Sequence, residues 1–110
     1  LLLKDGRLDG KEILPAGWVS FMRAPVQDSG GQYGGQTWLN AGRDNVAVEE
    51  TRRFQRLPAT TFYLSGYNGQ NVFILPEDEL IVVRLGVTHQ RENWSIEDFV
   101  VQVREALDLK

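Results

Sequence analysis

The chain has 110 residues, enough for one domain with a modest core, and its 42% hydrophobic and 25% charged content is ordinary for a globular protein. A net charge of −3, with lysines and arginines interleaved among acids, leaves no basic stripe for nucleic acid or anionic lipid. The absence of cysteine removes disulfides and thiolate chemistry, and a single histidine cannot build a His-rich metal site. No apolar run approaches the about 20 residues of a membrane helix.

Leu1-Leu2-Leu3-Lys4-Asp5-Gly6 begins inside an apolar segment without a cap or a signal-peptide pattern. It reads as the last turn of a helix stopped by Gly6, and so as the remnant of a truncated helical N-terminal segment. Asp9-Gly10 predicts a tight turn. A short helix is predicted from Pro15, at its first position, to Met22, with Trp18, Val19 and Met22 on one face and Pro25 marking the exit.

Residues 28–35 are loop-like and lead into a strand, Gln36-Thr37-Trp38-Leu39. From Asn40 to Pro58 the charges are mixed and the periodicity dissolves, which predicts a long surface excursion, mobile at least in part. Thr60 to Leu64 and Val72 to Leu75 are rich in β-formers, Pro76 to Glu79 makes a polar turn, and Leu80 to Leu85 completes an antiparallel pair. The nearly continuous apolar runs predict strands covered on both faces.

Ser95 and Asp98 give a capping-box-like start to a C-terminal helix. Ile96, Phe99, Val100, Val103, Ala106 and Leu107 then form one apolar stripe, expected to lie across the hairpin. The fold class is therefore α+β, antiparallel strands packed against a C-terminal helix. Taken as three strands, one of them short and one interrupted by Gly66 and Gly69, the sheet is small for a stable one. The pattern thus reads residues 1–110 as the C-terminal fragment of one domain, with exposed strands open to self-association.

Chemistry concentrates at Ser65-Gly66-Tyr67-Asn68-Gly69-Gln70. Glycines within β-forming sequence mark a bulge or a close approach of backbone to a ligand, and polar residues stand beside them. Ser65 as nucleophile would need a base, and the only classical one is His89, in a polar strand exit that reads as a solvated loop. Neither Gly-x-Ser-x-Gly nor Ser-x-x-Lys occurs. Glu77, Asp78 and Glu79 read as a solvated turn tip, and Glu49 and Glu50 beside Arg52 and Arg53 as surface charge. Trp18, Trp38 and Trp94 read as packing residues, with Trp38 placed to border a pocket.

The string from Phe62 to Pro76, followed by Leu80-Ile81-Val82-Val83-Arg84-Leu85-Gly86, resembles the C-terminal end of the serine β-lactamase family. The likeness is greatest to class C-like hydrolases and 6-aminohexanoate-dimer hydrolases, alongside the penicillin-binding DD-peptidases. Leu3 to Gly6, Ile13-Leu14-Pro15, Gly17-Trp18-Val19, Tyr33-Gly34 and Trp38-Leu39-Asn40 are similar to that family in the same order. The resemblance implies the C-terminal part of a β-lactamase/transpeptidase-like fold, and a parent that hydrolyses small esters, amides or peptides by acyl transfer.

It further implies that the nucleophile lies upstream, in a missing N-terminal part of the same domain, and that the parent is periplasmic or secreted. No metal or cofactor is implied. The family's third active-site box, usually Lys-Thr-Gly or His-x-Gly, falls on Leu64-Ser65-Gly66. The backbone N–H of Tyr67 would be an oxyanion-hole donor, with Leu64, Ser65, Gly66, Asn68 and Gly69 binding substrate. Leu64 replaces the usual cation, which favours esterase or amidase activity over lactamase. The alternative is a non-catalytic module that holds a peptide by strand addition at the same sheet edge.

Overall fold

The computed structural model describes residues 1–42, 51–89 and 93–109. A 3-10 turn, Leu2–Lys4, ends in left-handed backbone at Asp5 and Gly6, so the predicted stop is real and uses two residues. Strands β1 (Arg7–Leu8) and β2 (Lys11–Glu12) form a small hairpin around Asp9 and Gly10. Both turn residues have positive φ (48° and 77°), as the tightest hairpin turn requires.

Helix α1 spans Trp18–Arg23 and starts later than the sequence predicts. Pro15 lies in the preceding turn, where its carbonyl accepts from the Trp18 N–H, and Gly17 takes the cap position at φ 83°. Val19 is buried, whereas Trp18 points outward against Phe21. After α1 the chain folds back on itself. The Met22 carbonyl accepts from the Gly35 N–H at 3.0 Å and the Thr37 hydroxyl at 2.5 Å, which closes the helix end.

Four strands, rather than three, make the main sheet, in the order β3 (Trp38–Leu39), β4 (Phe62–Ser65), β5 (Asn71–Leu75), β6 (Leu80–Arg84). All neighbours are antiparallel. A 3-10 turn, Pro76–Asp78, joins β5 to β6. Because side chains alternate, the central strands β4 and β5 feed two cores. Tyr63, Phe73, Leu75 and Val82 face helix α2 (Ile96–Ala106) through Val100, and Phe62, Ile74 and Leu39 face Val19, Leu2 and Leu3. The architecture is thus a small α+β fold in which the longest described helix lies at the C-terminus.

The covering layer is incomplete on the second face. Leu64, Ile81 and Val83 remain exposed there, because Leu2, Leu3 and Val19 pack only against the nearer residues. Among the described residues the outer edge of β6 has no strand partner.

The stretch predicted as a surface excursion is corrected where it is described. Phe54 and Leu57 are buried in the helical-side core, three residues apart as on one face of a turn. Residues 43–50, which carry Glu49 and Glu50, lie outside the described residues. Buried Asn40 fixes the returning segment: its amide nitrogen donates to the carbonyls of Phe54, Leu57 and Pro58, and its oxygen accepts the Phe54 N–H.

Helix α2 begins as predicted, with the Ser95 hydroxyl accepting from the Asp98 N–H at 3.1 Å. Its apolar stripe packs on the hairpin through Ile96, Phe99, Val100 and Val103. Ala106 and Leu107 lie outside that contact, exposed at the helix end. No helix among the described residues is long and apolar enough to cross a membrane.

Candidate functional site

The arms of the β4–β5 hairpin pair regularly to Leu64↔Val72 and Ser65↔Asn71, with no bulge. The glycines therefore shape the connection rather than interrupt a strand. The Gly66 N–H closes it by donating to the Gln70 carbonyl at 2.8 Å, and Tyr67–Gly69 form a short 3-10 turn. Gly69, at φ 88°, needs its freedom twice over, since an added Cβ would also stand 3.0 Å from Arg84 Nη1. Gly66, at φ −111°, has ordinary extended backbone.

Arg84 bolts this connection to the segment after β6. Its Nη1 donates to the carbonyls of Gly69 (2.9 Å) and Gly86 (2.8 Å), and its Nη2 to the Thr88 hydroxyl (2.5 Å). The same guanidinium lies over the Trp94 ring, 4.7 Å from its centroid. The Gln70 side chain makes a two-way bond with the Gly86 backbone, and the Thr88 N–H donates to the Asn68 carbonyl. Asn68 and Gln70 thus hold the turn in shape, which the sequence alone did not disclose.

This rigid hairpin end forms one wall of a cavity of about 320 Å³, within the range that holds small ligands. Ser65, Gly66, Gly69 and Asn71 line that wall. Trp94, Ser95, Ile96 and Glu97, at the start of α2, also line the cavity, and Arg53, Phe54 and Thr88 complete the lining. Of the residues singled out from sequence, Ser65, Gly66 and Gly69 meet here. Leu64 points to the other sheet face, one residue out of phase with Ser65, and does not line the cavity.

Tyr67 is 87% exposed, and its backbone N–H makes no hydrogen bond among the described residues. Strand β3 pairs with β4 only as far as Trp38↔Tyr63. Since the Gly66 N–H faces β5, the backbone groups of Ser65 and the Tyr67 N–H face away from it, along an edge that nothing described covers.

His89 is exposed and does not line the cavity, so it is not the base beside Ser65. The acidic turn is solvated at Glu77 and Glu79, as its sequence suggests, but not at Asp78. The Asp78 side chain is 9% exposed and ion-paired to Arg104, while the Thr60 hydroxyl donates to Glu77 and Lys4 pairs with Glu79 at 3.5 Å. Trp38 borders only a small second cavity of about 30 Å³, room for one water molecule.

Arg53 lies beside the Tyr63 hydroxyl and over the Phe54 ring. Burial raises the Tyr63 pKa above its usual 10.0, and the neighbouring Arg53 charge partly opposes that rise. Arg53, read from sequence as surface charge, is indeed exposed but also lines the cavity. Phe54 gave no periodic signal in its segment; its spacing to Leu57 was the available one. Among the described residues no three histidine, aspartate or glutamate side chains cluster as metal ligands.

Fold and cavity together define a small α+β protein with a ligand-sized cleft between a hairpin end and a helix start. No protein-family model matches the chain, and a search of curated proteins gave no significant match.

Proposed function

We propose that this chain forms the C-terminal wall of a β-lactamase-like serine hydrolase site, one that cleaves esters or amides by acyl transfer. The observation that carries the proposal is the uncovered β4 edge at Ser65 and Tyr67, held rigid by Arg84 and Gln70 beside a ligand-sized cavity. A fixed N–H that needs no reorganisation is what stabilises a developing oxyanion, and losing one such donor costs about 10²–10³ in rate.

In the proposed reaction a serine outside these 110 residues attacks the substrate carbonyl. The Tyr67 N–H donates to the resulting oxyanion, the leaving group departs, and water releases the acyl group. Ser65 orients substrate through its hydroxyl rather than acting as nucleophile. The unhindered backbone at Gly66 lets substrate lie close to the strand.

The test is fluorophosphonate or penicillin labelling of the polypeptide that carries this chain, with ester turnover measured alongside. Labelling at a serine within a Ser-x-x-Lys sequence supports the proposal. A polypeptide that lacks Ser-x-x-Lys and takes no label sinks it, leaving strand addition of a peptide along the same edge as the reading to pursue.

A further inference from the structure

Three consecutive carbonyls of the hairpin end are each engaged. The Asn68 carbonyl accepts the Thr88 N–H at 2.9 Å, and the Gln70 carbonyl accepts the Gly66 N–H at 2.8 Å. The Gly69 carbonyl between them accepts twice, from Asn71 Nδ2 and from Arg84 Nη1, both at 2.9 Å, which uses both of its lone pairs. Those two donors stand side by side, because Asn71 and Arg84 are opposite each other in the β5–β6 register. With the carbonyls fixed, the peptide planes of the turn are set, and so is the direction in which the Tyr67 N–H leaves it.

Arg84 joins this turn to three other places at once. Nη1 also donates to the Gly86 carbonyl at 2.8 Å, and Nη2 donates to the Thr88 hydroxyl at 2.5 Å. The guanidinium carbon lies 4.7 Å from the centroid of Trp94, just before α2. No carboxylate pairs with Arg84 among the described residues. Its partners are neutral oxygens and a ring face, an arrangement that suits a planar fork and not a point charge. Arg84 does not line the cavity, so it acts there only through the turn.

We infer that Arg84 is a positioning residue for the Tyr67 N–H: its guanidinium clamps the Gly69 carbonyl against Gly86, Thr88 and the Trp94 ring, and thereby aims that donor. The dependence of the turn on Arg84 stands on these bonds alone. That the aim matters to catalysis rests on the hydrolase proposal. Lysine is no substitute, because a single ammonium has neither the fork to span Gly69, Gly86 and Thr88 together nor the plane to lie on Trp94.

The experiment uses the polypeptide that carries this chain, well below the thermal transition of each variant, with fluorophosphonate titration counting the sites so that ester turnover is expressed per site. Arg84→Lys and Arg84→Ala should lower kcat per site at least about tenfold and change KM less than about twofold, because a displaced donor fails the oxyanion and not the bound substrate. Millimolar guanidinium should recover part of the lost kcat in Arg84→Ala, where the three oxygens remain to bind it. Fewer labelled sites at unchanged kcat per site would leave Arg84 a purely structural role and overturn the inference.

The Tyr67 amide in Arg84→Lys, followed by NMR, reads the turn without reference to catalysis. Its resonance should move and its hydrogen exchange quicken; an unmoved Tyr67 amide overturns the inference whatever the kinetics. If the unaltered polypeptide takes no label, the hydrolase reading falls alone, while a moved Tyr67 amide keeps Arg84 as the residue that sets the turn.

Discussion

Arg104 and Asp78 join the C-terminal helix to the β5–β6 turn through a two-pronged ion pair, Nε to Oδ2 at 2.6 Å and Nη2 to Oδ1 at 3.2 Å. The side chains are only 10% and 9% exposed, so water screens the pair weakly. Its partners are 26 residues apart, and it fixes the height at which α2 crosses the sheet. The same helix delivers Ser95 and Glu97 to the cavity at its other end.

Removing one partner strands the other charge in a dry place. Asp78→Ala is expected to destabilise the protein by about 3–5 kcal/mol, measured as a fall in the urea midpoint, whereas a paired apolar replacement of Asp78 and Arg104 should be far milder. If Asp78→Ala shifts the midpoint no more than a surface substitution does, the pair is not holding the helix.

Asn40 works by geometry rather than charge. One amide satisfies the Phe54 N–H and three carbonyls of the segment that returns to the sheet. Asn40→Ala leaves several of these groups buried without partners, at about 1–3 kcal/mol each where water cannot reach. A loss of about 3 kcal/mol is expected, together with faster hydrogen exchange at the Phe54 amide. Asn40→Asp should not rescue it, because a carboxylate keeps the acceptor but loses the donors.

Gly34 is demanded by space. A Cβ there would lie 2.1 Å from the Met22 carbonyl oxygen, which is backbone and cannot swing aside. Gly34→Ala should therefore push α1 away from the 34–37 loop and cost about 1–3 kcal/mol. Wild-type stability in this variant would mean that the loop does not close over the helix end.

Tyr63 makes stability depend on alkaline pH. Its hydroxyl titrates above 10.0 in the folded protein because burial disfavours the phenolate, more strongly than Arg53 favours it. Above that pH the unfolded chain releases the proton while the folded chain retains it, so the folded state binds more protons and stability falls as pH rises. The contribution is complete below pH 10 and is lost between there and the raised folded value. Urea midpoints compared between pH 8 and 11 should decline less steeply in Tyr63→Phe than in the unaltered protein.

The tight turn at Asp9-Gly10, the polar turn at Pro76 and the C-terminal helix were legible because each announces itself locally, the helix through Ser95 with an apolar period behind it. What tertiary contacts decide was not. Pro15 looks like a helix start, yet the helix waits for Gly17, and Asp78 looks solvated until Arg104 reaches it from 26 residues away. At the cavity, Ser65 and Gly66 stood out by composition, while Arg53, Thr88 and Ser95 acquire meaning only when the fold brings three separate segments around one space.

Tyr67 offers the most direct trial of the catalytic proposal, because the proposed donor is its backbone and not its side chain. It is the first residue of a 3-10 turn, and Gly66 before it is extended (φ −111°, ψ 178°), the backbone that a following proline requires. Tyr67→Pro therefore deletes the N–H with little disturbance to the turn, as the thermal transition should confirm. In the active polypeptide kcat should fall about 10²–10³-fold with a small change in KM, since the donor acts on the oxyanion and not on the ground-state carbonyl. Tyr67→Phe and Tyr67→Ala should retain activity. Equal damage from Tyr67→Ala and Tyr67→Pro would assign the effect to the side chain and remove this N–H from the oxyanion hole.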